Sequence, residues 1–67
     1  MATVDDARVY REAMVWFKKA EAMIGTAQEN SDQQAELFRK AVEIKPDFLE
    51  AHYNLGLIYA NQKKTRE

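Results

Sequence analysis

A chain of 67 residues with 46% hydrophobic and 31% charged side chains has room for one small domain and a thin core. Cysteine is absent, which excludes disulfides and thiolate metal sites, and the single histidine, His52, cannot make a zinc site alone. Ten basic residues against eleven acidic ones leave a net charge of −1, which offers no footprint for nucleic acid and no polybasic patch for a membrane surface.

The first residues, Met1 to Asp6, carry two acids where a secretory signal would carry bases, and no apolar run approaches the length of a membrane span. Cytoplasmic, reducing surroundings are the expected setting. The first helical pattern covers about residues 5–26. Val9, Ala13, Trp16, Ala20 and Met23 recur at steps of four and three, with Tyr10, Met14, Phe17 and Ile24 beside them, while Arg11, Glu12, Lys18, Lys19 and Glu21 fall mostly off the stripe. Thr3 with Asp6 resembles a capping box, and Asp5 and Asp6 suit the positive start of a helix. Gly25 and the polar stretch Thr26 to Asn30 end this segment.

Ser31 with Gln34 reads as a capping box for a second helix over about 32–45, with Leu37, Phe38, Ala41, Val42 and Ile44 on its apolar face. Glu36 stands four residues before Lys40, the favourable order for a helical ion pair. Pro46 stops this helix at about Lys45, because the residue before proline avoids the helical region. A third helix over about 48–62 follows, capped by Asp47 with Glu50. Phe48, Ala51, Leu55, Ile58 and Tyr59 form its apolar stripe, and the polar stretch Asn61 to Glu67 is expected to fray. No alternating run bounded by turn residues competes, so the fold class is all-α: an antiparallel helical hairpin plus a third helix, in one domain over 1–67.

Gly56 stands inside a strong helical pattern, where glycine costs roughly 1 kcal/mol against alanine. Leu55 precedes it and Tyr59 follows three residues later. This Leu-Gly-x-x-Tyr cluster resembles the first helix of a tetratricopeptide repeat, with His52 where the repeat has tryptophan. Upstream, Phe38, Ala41 and Pro46 resemble the end of the preceding repeat's second helix, and the resemblance is strongest over residues 35–60. It implies about one and a half repeats of a right-handed α-solenoid, and the short length suggests an excised piece of something larger. Gly56 would then mark the close approach of a neighbouring helix. Gln34 departs from the pattern, standing where the family wants a small alanine. The repeat period carried back from His52 lands on Lys18, so Trp16 or Phe17 is the equivalent residue and the Gly25–Asn30 turn holds an insertion of one or two residues.

The carboxylates Asp5, Asp6, Glu29, Asp32, Asp47 and Glu50 sit mostly at helix starts, where the helix dipole explains them. His52 has no nucleophile or second ligand patterned around it. No phosphate loop, nucleophile elbow or metal spacing occurs, so neither enzymatic activity nor a cofactor is expected. The resemblance implies instead a module that holds a protein or peptide partner on the concave face lined by first helices. Tyr53, Asn54, Leu57 and Asn61 of the third helix would line that groove, Asn54 bonding a peptide backbone or terminal carboxylate, with Lys18 of the first helix facing the same space.

The second reading is a structural, self-associating unit. Phe48, Leu55, Ile58 and Tyr59 present apolar surface on more than one side of the third helix, with one hairpin to cover it, so a homodimer or helix-swapped oligomer is expected. A third reading is another three-helix adaptor, such as a microtubule-interacting-and-transport domain, against which the Pro46 junction and the Leu55-Gly56 pair count.

Overall fold

The computed structural model describes residues 4–66, which form three α-helices: α1 (Val4–Glu21), α2 (Asp32–Ile44) and α3 (Leu49–Arg66). The cross-helix contacts set their directions. Phe17 meets Phe38, Gln34 bonds to Ala20 and Lys40 lies over Trp16, so positions advance along α2 as they retreat along α1. The same holds between α2 and α3, where Arg39 meets Tyr59 and Asp32 meets Gln62. Both neighbouring pairs are therefore antiparallel. The result is thin, 45 × 18 × 14 Å across its Cα atoms.

Five alanines set the helix spacing. Ala13, Ala20, Ala35, Ala41 and Ala51 are fully or almost fully buried, and their short side chains let the backbones approach. Aromatic rings fill the remaining space. Phe17 stacks on Phe48 at 4.9 Å between centroids and meets Phe38 edge-on at 5.4 Å, while Tyr10 closes over Phe48 at 6.0 Å. The buried line of α1 is thus Ala13, Phe17 and Ala20. Of the two expected equivalents, Phe17 enters the core and Trp16 stays half-buried under the ammonium groups of Lys19 and Lys40, at 4.7 and 4.8 Å. Ile24, expected beside the apolar stripe, is exposed.

The helix ends depart from the sequence expectations in instructive ways. The α-helical run of α1 closes at Glu21 and not near residue 26. Beyond it the chain tightens into successive three-residue bonds, from the amides of Met23, Ile24 and Thr26 to the carbonyls of Ala20, Glu21 and Met23. Gly25 at φ 82° then turns the chain through the left-handed region. Thr3, the proposed cap, lies outside the described residues.

The start of α2 follows the first half of the expected capping box: Ser31 is the N-cap and its hydroxyl accepts from the Gln34 amide at 3.0 Å, while the Gln34 side chain accepts from the Asn30 amide in place of that of Ser31. The end also agrees, with Lys45 extended before Pro46. Asp47, by contrast, does not cap α3. The Phe48 carbonyl accepts the first helical bond, from His52 at 3.2 Å, and the Asp47 carboxylate takes the Lys45 ammonium at 2.7 Å instead. Glu36 likewise pairs with Arg39, one residue nearer than the expected Lys40, which covers Trp16.

The polar end of α3 remains helical to Arg66, because Asn61 and Gln62 are tied to the turn before α2. Gly56 is exposed, and a Cβ added there would meet nothing within 4 Å. The expected close helix approach is absent at this residue among the described parts of the chain.

Candidate functional site

One concave site stands out, where the α1–α2 turn, the start of α2 and the middle of α3 converge. Its centre is a polar clasp built on Asn30, which has the left-handed φ of 65° that asparagine tolerates better than most side chains. The Asn30 amide donates to Gln34 Oε1 at 2.8 Å, and its own side-chain oxygen accepts from Asn61 at 3.2 Å. Its carbonyl accepts from Gln62 Nε2 at 2.9 Å, and Gln62 also reaches Asp32. Gln34 completes the clasp by donating from Nε2 to the Ala20 carbonyl at 3.0 Å. Only 2% of Gln34 is exposed, and every buried polar side-chain atom among the described residues has a partner.

Beside the clasp lies a cleft of about 200 Å³ lined by Ile24, Glu29 and Asn30 of the turn, Gln34 and Phe38 of α2, and Asn54, Leu57, Ile58 and Asn61 of α3. Three of the five residues expected at a peptide groove, Asn54, Leu57 and Asn61, therefore meet in one cavity. Tyr53 sits next to it in a shallower depression with Leu49, Glu50 and Asn54. Lys18 lines a different depression on α1, with Tyr10, Arg11, Met14 and Val15. The cleft walls thus carry amides, apolar groups and the Glu29 carboxylate, which already accepts from the Gly25 amide at 3.1 Å. A peptide carboxylate would meet no cation on those walls.

The self-association residues are placed differently from the expectation. Phe48 and Ile58 are buried and Leu55 packs against the core, so these three belong to the interior. Tyr59 is exposed at 44%, but its hydroxyl is held at 2.6 Å by the Arg39 guanidinium, a bond that raises the Arg39 pKa further above its ordinary value. The large apolar side chains of α3 that face water among the described residues, besides Tyr59, are Leu49, Tyr53 and Leu57. Tyr53 and Leu57 are residues expected at the groove, whereas Leu49 was not singled out; Phe48 stands just before α3, where its ring turns into Phe17.

His52 is exposed, and its Nε2–H donates to the Pro46 carbonyl at 2.7 Å, a contact that fastens the α2–α3 junction. No group of three metal-ligating side chains occurs among the described residues, and no described helix is long and apolar enough to cross a membrane. Asn30 and the turn residues around it were not singled out from the sequence; Asn before a capping Ser was the available signal.

A family model described as TPR repeat matches residues 28–63, which covers α2, its junction and most of α3, more than half of the chain. The chain belongs to the tetratricopeptide-repeat family. The match selects the repeat among the three-helix readings, and it leaves α1 outside the matched region. No curated protein and no solved structure matches the chain. Repeats of this class serve as protein-interaction scaffolds and are typically not catalytic.

Proposed function

We propose that the chain is a protein-interaction module that holds an extended peptide segment in the cleft between the α1–α2 turn and α3. The carrying observation is Asn54. Its side chain is half-buried on the cleft wall, beside Leu57, and makes no hydrogen bond among the described residues. A primary amide offers one acceptor and two donor hydrogens, the complement of a peptide unit. Leu57 and Ile24 supply apolar contact for a side chain of the bound segment. With no lysine or arginine on the cleft walls, recognition runs through peptide amides and an apolar side chain, and the terminal carboxylate is not the anchor. The small footprint supports weak binding, with Kd of roughly 10 μM to 1 mM.

The test is a titration of short apolar-rich peptides into labelled protein, followed by amide and side-chain chemical shifts. Shifts should centre on Asn54, Leu57 and the Glu29–Asn30 turn, survive amidation of the peptide C-terminus, and weaken several-fold in Asn54→Ala. Shifts that cluster around Lys18, or that vanish on amidation, refute the cleft as the site.

A further inference from the structure

The outward side of α3 carries an apolar strip that stays exposed among the described residues. Leu49, Tyr53 and Leu57 stand at steps of four, with exposures of 77%, 68% and 44%. Ala60 and Lys64 continue the same face at steps of three and four, and all are exposed. Gly56 lies at the edge of this strip with no atom within 4 Å of where its Cβ would be, so a helix-weakening residue has no packing reason inside the chain. Gly56, between Tyr53 and Leu57, and Ala60, one turn further on, leave a shallow seat along the helix.

The charges at the two ends of the strip are opposite. Glu50 flanks it at the N-terminal end and Lys64 closes it at the C-terminal end, and neither makes an ion pair among the described residues. A surface with acid at one end, base at the other and apolar groups between is complementary to its own reverse. We infer that this face of α3 is a docking surface for a second copy of the chain, the two α3 helices lying antiparallel about a two-fold axis at Leu57.

The register follows from the residue positions. Leu57 is equidistant along the helix from Glu50 and Lys64. An axis at Leu57 therefore sets Leu57 against its own copy, and it sets Glu50 of each chain beside Lys64 of the other, on the same flank. The Tyr53 ring then falls over Ala60 of the second copy, where the small side chains make room. Such a contact is isologous, so each favourable pair occurs twice. α3 has 18 residues and is about 27 Å long, and one helix face of that length covers on the order of half the area per partner of a standard interface. The association is consequently weak and concentration-dependent, and each copy keeps its own closed core. This pairing uses none of the buried residues Phe48 and Ile58; it shares Leu57 with the cleft, so a bound peptide and a second copy compete for that side chain.

Sedimentation equilibrium of the whole chain between about 10 μM and 1 mM tests it. The average mass should rise from 7.8 kDa toward twice that value. Glu50→Lys and Lys64→Glu should each weaken association by roughly tenfold, because each sets like charges together on both sides of the axis. An equimolar mixture of these two variants should associate more tightly than either alone, since the mixed pair again opposes unlike charges. Tyr53→Lys should leave the helical circular dichroism unchanged and the chain monomeric. A single 7.8 kDa species throughout overturns the proposal. So does a dimer that ignores the charge reversals, or a mixture no tighter than its components; the latter two results move the contact to another face.

Discussion

Gln34 is the most revealing residue to perturb, because the repeat pattern prefers alanine where this chain buries an amide. Its side chain donates to the Ala20 carbonyl and accepts from the Asn30 amide, joining the end of α1 to the turn before α2. Gln34→Met keeps most of the volume and removes both bonds. At roughly 0.5–1.5 kcal/mol net per bond, with the part-buried Asn30 amide left unpaired, the loss comes to about 1–3 kcal/mol. Gln34→Ala loses the same bonds and also opens a void, which adds about 1 kcal/mol; better helix propensity returns a few tenths.

For a chain of this size, total stability is only about 3–10 kcal/mol, and each kcal/mol moves the melting temperature by roughly 4–8 °C. Thermal melts followed by circular dichroism should therefore drop by about 5–20 °C for methionine and further for alanine. If the methionine variant melts at or above the parent, the hydrogen bonds contribute nothing net and the clasp is only a geometric coincidence. If alanine also matches the parent, the buried volume is not needed either, and the close fit of this turn to α1 is wrong.

Gly56→Ala should stabilise the chain by up to about 1 kcal/mol, since the position is exposed, helical and free of neighbours; melts at low micromolar concentration check this, and a lower melting temperature would restore the close-approach reading. The Lys45 ammonium, hydrogen-bonded to Asp47, holds that carboxyl below the ordinary aspartate pKa in the folded chain. The contribution of a depressed carboxyl is present above its unfolded pKa and is lost as the pH falls through the lower folded one. Carboxyl carbon shifts should accordingly show Asp47 titrating below the usual range, and Lys45→Ala should move it up; for so exposed a pair the effect on stability is slight.

Where local chemistry decided the outcome, the sequence was readable. Ser31 and Gln34 started α2 as their spacing required, and Pro46 ended it, because a cap and a pre-proline residue act on their own neighbours. The end of α1 was not readable in the same way. Continued periodicity through Met23 and Ile24 looks helical, while Gly25 and Asn30 together bend the chain through two left-handed residues. The tail of α3 was misjudged because its order comes from Asn61 and Gln62 reaching Asn30, more than thirty positions away.

The candidate site divides similarly. Asn54, Leu57 and Asn61 were named from the repeat pattern, whereas Ile24, Glu29 and Asn30 belong to the α1–α2 turn, to which that pattern did not point. Two of the four residues expected to self-associate lie inside the fold. A broad stripe of apolar residues does not reveal which of them the neighbouring helices will consume, and Phe48 and Ile58 were consumed.

Trp16 gives the molecule a built-in optical reporter for one of its two seams. It is the single tryptophan, and it lies between a lysine of α1 and a lysine of α2 without any ring contact to α3. Its emission therefore registers whether the α1–α2 hairpin is closed, while helical circular dichroism counts all three helices. α3 rests mainly on α2, and Phe48, just ahead of it, touches the rings of α1. Denaturation curves from the two signals coincide if the molecule opens as one body and separate if α3 peels away first, so a single fluorimeter trace laid over a dichroism trace distinguishes a cooperative unit from a hairpin with a detachable third helix.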